Sequence, residues 1–189
     1  PTFWAGDYKI VDQNGDGVID LQDRTIIGNP NPDFVYGLNL ELSYKNLSLR
    51  VLANGVYGND IANGNLLQLA TPEGVSWSNI TTAAYNNAWR PDRPSNIYPR
   101  IGYTTNGSIA MPDWIIEDGS FLRISTINLS YQFDKINVYL SAQNLFTFTG
   151  YSGYNPETTS FLYDGLRNGV DWNGQPNARK FTLGLNFNL

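Results

Sequence analysis

The stretch Phe34–Tyr44, FVYGLNLELSY, followed by Lys45-Asn46 and then by Leu47–Tyr57, LSLRVLANGVY, decides the fold. In the first run Phe34, Tyr36, Leu38, Leu40, Leu42 and Tyr44 alternate with Val35, Gly37, Asn39, Glu41 and Ser43. Successive side chains of a β-strand point to opposite faces, so a period of two gathers one apolar face and one largely polar face. After the two-residue turn, Leu47, Leu49, Val51, Ala53 and Tyr57 take one face and Ser48, Arg50 and Asn54 the other. The pattern returns within Phe121–Phe133, where Ile127, Leu129, Tyr131 and Phe133 oppose Asn128, Ser130 and Gln132. A second minimal turn, Asp134-Lys135, leads to Ile136, Val138, Leu140 and Ala142 against Asn137, Tyr139, Ser141 and Gln143. The chain ends on Phe181, Leu183, Leu185, Phe187 and Leu189, alternating with Lys180, Thr182, Gly184, Asn186 and Asn188.

Runs of this length select among β architectures. Strands of globular proteins average about 5–6 residues, whereas about 9–11 residues are needed for a tilted strand to cross a bilayer. Two connections are minimal turns and the others, about Gly58 to Ser120 and about Thr147 to Ala178, are long. That alternation is the pattern of outer-membrane barrels, with tight periplasmic turns and long extracellular loops. Phe34, Tyr44, Tyr57 and Tyr131 at strand ends suit interfacial aromatic girdles. The expected fold is therefore all-β, the C-terminal strands of a large antiparallel transmembrane β-barrel. With the short turns in the periplasm, the last strand descends from outside and the C-terminus is periplasmic. Five strands are too few to close such a barrel, so residues 1–189 are expected to be its C-terminal portion, with earlier strands upstream of Pro1.

Composition narrows the functions. The net charge of −5 and pI of about 4.5 argue against a nucleic-acid partner, because no basic stripe is present to neutralise phosphates. The chain has no cysteine and no histidine, which removes thiol chemistry, zinc sites built on these ligands and every histidine-based catalytic triad. No run of about 18 apolar residues suggests a transmembrane helix. Aromatic residues at 14% and 18 glycines agree with an all-β chain.

One segment stands apart from the strands. In DQNGDGVIDLQD, Asp12, Asn14 and Asp16 occupy alternate positions, Gly17 follows, and Asp20 and Asp23 fall at the ninth and twelfth places. A hard divalent cation takes six to eight oxygens, and this spacing lets side chains one, three and five converge on one centre, with the Val18 carbonyl at seven and an acid at twelve. Asp23 stands where an EF-hand has glutamate, and Gly28, Pro30 and Pro32 preclude a long exit helix. The expected ligand is a structural Ca2+ held by Asp12, Asn14, Asp16, Val18, Asp20 and Asp23, bracing a loop on the extracellular side; a metal-free Asp/Asn/Gly turn is the alternative.

Cargo contacts are expected from loop residues able to stack on or bridge to a ligand, Trp77, Trp89, Arg90, Trp114 and Trp172. The polar strand face adds Asn39, Glu41, Arg50, Asn54, Asn128, Gln132, Gln143 and Asn186. The same tryptophans also fit loop cores, and the same polar residues fit a face that simply solvates a channel or contacts a plug. Glu117-Asp118 is an adjacent acid pair in a loop, but a glycosidase needs two facing carboxylates about 5–9.5 Å apart, and strand neighbours point to opposite faces. A catalytic role is not expected. The rival reading is a secreted, calcium-stapled β-domain that binds carbohydrate or acts in adhesion. Such a domain would bury its apolar faces against another sheet.

The stretches GDYKIVDQNGDGVIDLQDRTIIGNPNPDFVYGLNLELSYKNLSL, WIIEDGSFLRISTINLSYQF, VYLSAQNLFTFTGYSGYNPE and PNARKFTLGLNFNL together resemble the C-terminal end of the SusC/RagA-type TonB-dependent transporters of Gram-negative outer membranes. The resemblance spans essentially the whole chain, in order. It implies a barrel of 22 strands with an N-terminal plug, energised through the TonB complex, and a SusD-like surface lipoprotein over the extracellular mouth. It further implies an oligosaccharide or oligopeptide cargo and allows a homodimer of transporter–lipoprotein pairs. The final Leu189 departs from the terminal aromatic that many outer-membrane proteins carry.

Overall fold

The computed structural model describes residues 4–70, 79–102, 111–157 and 168–187; Trp77 and Leu189 lie outside the described residues. Five strands form one antiparallel sheet: β1 (Phe34–Tyr44), β2 (Leu47–Tyr57), β5 (Phe121–Phe133), β6 (Ile136–Thr149) and β8 (Lys180–Phe187), in the order β1-β2-β5-β6-β8. All five runs read from the alternation are strands. The turns at Lys45 and Asp134 are two residues long and place those residues in the left-handed region, at φ 53° and 29°. Antiparallel pairing puts both turns at one end of the sheet and the long connections at the other.

Register joins the apolar residues into continuous rows. Leu42, Leu49, Leu129, Leu140 and Leu183 form one, and Tyr44, Leu47, Tyr131, Val138 and Leu185 the next. Among the described residues nothing covers this face: Leu38, Leu42, Leu140, Leu183 and Leu185 are all exposed, Leu183 to 72%. A soluble sandwich would bury such rows. Aromatic rings border the face near both ends, with Phe34 stacked on Tyr57 at 5.1 Å and Tyr131 against Phe133 at 4.4 Å. The opposite face is polar, with rows such as Glu41–Arg50–Asn128–Ser141–Thr182. The outward edges of β1 and β8 have no strand partner among the described residues.

The long connections are not structureless. They form a second layer over the loop end, built on β3 (Asp60–Asn63), β4 (Ile116–Asp118) and β7 (Val170–Asp171), in the order β4-β3-β7, with short helices α1 (Gly64–Ala70) and α2 (Thr82–Asn87). Most of the fully buried residues belong to this layer, including Ile61, Ile115, Asn63 and Asp171. Strands of two to four residues carry too little periodicity to be seen in sequence. Among the described residues no helix is long and apolar enough to cross a membrane.

Gly55 faces Tyr36 across β1 and β2. The Tyr36 ring lies over this glycine and its hydroxyl donates to the Phe121 carbonyl at 3.0 Å. A methyl at Gly55 would overlap both the ring and that carbonyl oxygen. Gly55→Ala is therefore expected to destabilise the full-length barrel by about 1–3 kcal/mol, the usual cost of overpacking. Urea unfolding in lipid vesicles checks this, and an unchanged midpoint would remove Tyr36 from its role as the cover of Gly55.

Candidate functional site

The polar face carries one dense cluster near the loop end. A register shift between Leu52/Ala53 of β2 leaves Ser125 of β5 without a direct partner, and the β5–β6 pairing shifts between Ile124 and Thr126. The bulge changes the parity of β5. Ile124 and Leu122 therefore join the apolar face, and Arg123 turns to the polar one, opposite Asn54 and Thr147. The Arg123 guanidinium then spends all three nitrogens: Nε donates to Thr147 Oγ1 at 3.0 Å, Nη2 to Asn155 Oδ1 at 2.7 Å, and Nη1 to Glu157 Oε2 in a close ion pair. Asn54 Nδ2 donates to Glu157 Oε1 at 3.1 Å, and Ser125 Oγ donates to Asn54 Oδ1. The Arg123 side chain is only 5% exposed, a desolvation that such a complete set of partners offsets. Arg123 and Glu157 are absent from the residues singled out by sequence. Strict alternation from Ile127 would have aimed Arg123 at the apolar side, and a charged residue there was the available signal of a bulge.

Of the expected cargo residues on this face, Asn54 belongs to the Arg123 cluster. Arg50 stands further toward the turn end, opposite Glu41, with Nε 3.5 Å from Asn39 Oδ1. The loop tryptophans are spread through the second layer. Trp114 stacks on Tyr8 at 5.7 Å and meets Tyr98 edge-on at 6.0 Å. Trp89 packs on Gly6, beside the Arg100–Asp7 ion pair (2.6 Å) that ties the N-terminal segment to the layer. Trp172 lies over Gly64 at the start of α1. Arg90 sits over the Tyr85 ring at 4.4 Å. The structure does not bring these four residues to one point with Arg50 and Asn54.

The acid pair divides between two tasks. Glu117 accepts from Asn63 Nδ2 and Ser152 Oγ, both at 2.8 Å, and from the Ser152 amide at 2.7 Å. Asp118 accepts the Ser120 amide. Both brace loops. Buried Asp171 accepts the Tyr151 hydroxyl at 2.7 Å and the Gly174 amide at 3.0 Å. Burial, and then the neighbouring Asp171 carboxylate, push the Tyr151 phenol well above its usual range, so it remains a donor throughout the physiological range. Tyr151→Phe leaves one oxygen of a fully buried carboxylate unpartnered, and a loss of about 1–3 kcal/mol is expected. Faster protease cleavage within the loop layer is the readout; unchanged cleavage would show that water replaces the hydroxyl at no cost.

The Asp loop is wound by its own amides. Asp12 accepts from the Gly15 and Gly17 amides, Asp16 from Val18, and Asp23 from Gln13 and Asp20. Asp20 and Asp23 close a reciprocal capping box on a single 3-10 turn, Leu21–Asp23, in place of an exit helix. The oxygen donors suit a hard cation. Among the described residues no group of three acidic side chains is by itself placed to hold a metal, and the expected set adds Asn14 and the Val18 carbonyl. The Asp20 and then the Gln13 amide hold the Asp23 carboxyl below its ordinary value of 3.8. A depressed folded pKa contributes stability that is complete above that value and lost as pH falls through the folded one. The 12–23 loop is therefore expected to keep its order down to pH values below 3.8. Proteolysis by an acid protease across that range tests it: cleavage beginning well above that pH would count against the amide bonds to Asp23.

A sheet that is apolar outside and polar inside, with minimal turns at one end and a built loop layer at the other, is a stretch of a large transmembrane β-barrel. The comparisons agree. The chain is 32% identical to TonB-dependent receptor P3 of Formosa agariphila over 195 residues, 96% of this chain. It is 31% identical to the TonB-dependent receptor SusC of Bacteroides thetaiotaomicron over 190 residues, 93% of this chain. The RagAB peptide transporter superposes with a TM-score of 0.68 at 26% identity, covering 85% of this chain and 17% of that one. No family model matches the chain. Over almost its whole length the chain is similar to SusC/RagA-type TonB-dependent receptors, and it spans about a fifth of the length of these curated relatives, 19% of the first and 17% of the second.

Proposed function

We propose that this chain is barrel wall and loop layer of an outer-membrane transporter that imports an oligomeric nutrient, an oligosaccharide or an oligopeptide, under TonB control. The exposed apolar rows over a polar inner face carry this reading, because a lipid-facing barrel wall presents such rows to the bilayer and its polar residues to the lumen. The relatives named as TonB-dependent receptors support the energy coupling, and the likeness to the RagAB peptide transporter supports peptide as one cargo class. In this reading the loop layer faces the medium, the two-residue turns and the C-terminus face the periplasm, and a SusD-like lipoprotein sits over the loop layer. Two such pairs associate as a homodimer. Cargo meets the polar wall at Arg50 and Asn54 after passing Trp89, Arg90, Trp114 and Trp172. The test is growth of a strain lacking the full-length protein on pooled oligosaccharides or pooled peptides as sole carbon source. Loss of growth on one pool, reproduced by deleting TonB, is expected; normal growth on both would overturn the reading.

Calcium on the Asp loop belongs to the same proposal. The cation would be held by Asp12, Asn14, Asp16, Val18, Asp20 and Asp23 and would stiffen the approach to β1. Extracellular calcium modules bind at about 10⁻⁴–10⁻³ M, so millimolar calcium is expected to slow cleavage of the loop, EDTA to restore it, and Asp12→Ala to remove the response. Equal cleavage with calcium and with EDTA would show a metal-free turn.

A further inference from the structure

The segment from Gly150 to Glu157 is fastened differently at its two ends. Tyr151 and Ser152 are anchored in the loop layer, through Asp171 and Glu117. Asn155-Pro156-Glu157 turns back onto the inner wall, where Asn155 and Pro156 are buried, Asn155 accepts from Arg123 of β5, and Glu157 meets the same Arg123 and Asn54 of β2. Gly153, which lacks a side chain, and Tyr154, 74% exposed, lie between the two attachments. The wall row reached is that of Thr147, two residues below the end of β6 at Thr149. The tip of the segment therefore stands inside the mouth of the barrel, about 7 Å below the rim, at 3.3–3.4 Å of rise per residue.

We propose that Gly150–Glu157 is a strap folded into the barrel mouth and held there by a charge latch, Glu157 on Arg123 and Asn54, so that withdrawing the Glu157 charge lets the tip leave the wall. The asymmetry of the pair supports release from one side. Arg123 is 5% exposed and fixed by its strand, whereas the Glu157 side chain is 37% exposed and sits on the segment beyond the Gly153-Tyr154 link. An ion pair with one solvated partner is weaker than a fully buried one, while the anchors at Tyr151 and Ser152 do not depend on it. The inference needs the barrel but no particular cargo, so it stands or falls separately from the transport reading.

Nitroxide labels on Tyr154→Cys and Lys135→Cys of the full-length protein, otherwise lacking accessible cysteines, measure the distance from the strap to the exposed turn at the other end by pulsed electron resonance. A single narrow distance is expected in the parent. In Glu157→Ala, and less completely in Glu157→Gln, a second population about 7 Å longer is expected, the rise of two strand residues. A parent already broad would overturn the latch, and so would the parent's narrow distance persisting in both variants. Should Glu157→Ala fail to assemble, Glu157→Gln alone decides between the same outcomes.

Discussion

Leu140→Arg is expected to prevent the full-length protein from accumulating as a folded barrel, whereas Ser141→Arg, one residue further along β6, leaves assembly intact. The two positions lie on opposite faces of one strand. Leu140 belongs to the row Leu42–Leu49–Leu129–Leu140–Leu183 and is 49% exposed, and Ser141 joins the polar row of Arg50 and Asn128. An arginine at the bilayer midplane costs a transmembrane barrel about 2–4 kcal/mol, falling to about 0–1 kcal/mol near the interfaces. The cost should therefore fade along the face, and Tyr44→Arg beside the turn end should cost less than Leu140→Arg. Heat-modifiable mobility of membrane extracts and urea titration in vesicles report both effects. A sandwich core would lose stability without this dependence on depth and in the absence of lipid, so a flat response along the face would defeat the barrel assignment.

What the sequence made legible follows from how much chain each feature uses. The sheet was readable because alternation persists over runs such as the 11 residues of β1, and its turns because two residues separate β1 from β2 and β5 from β6. The loop layer was not, because β3, β4 and β7 together offer too few residues to set a period, and their pairing joins positions as distant as Ala62 and Val170. The Arg123 cluster was hidden by a single residue, Ser125, whose bulge reverses which side chains face inward. Asn54 was visible as a polar-face residue, yet its partner Glu157 is 103 positions away. The Asp loop shows the opposite limit. Its spacing is plain in sequence, but spacing alone does not show that the Asp12 and Asp23 carboxylates also accept amides of their own loop.

That one-residue reversal sets up the second large effect, at Arg123 itself. Arg123→Met keeps most of the side-chain volume and removes three donors at once, leaving Asn155 Oδ1, Thr147 Oγ1 and the Glu157 carboxylate to find other partners. Removing one member of a buried ion pair costs about 3–5 kcal/mol when the survivor stays buried. Glu157 is 37% exposed, so water recovers part of that, and about 2–3 kcal/mol is the expected loss in urea titrations of the vesicle-embedded barrel. Glu157→Gln, which keeps a hydrogen-bonding group on Asn54, should lose about 1 kcal/mol. The double variant should then fall short of the sum of the two, because both changes act on one contact. Additive losses would mean that Arg123 acts through Thr147, Asn155 and packing rather than through Glu157, with the strap held by Asn155 and by its anchors at Tyr151 and Ser152. A deficit of about 1 kcal/mol would identify the ion pair as the element that joins strap and wall.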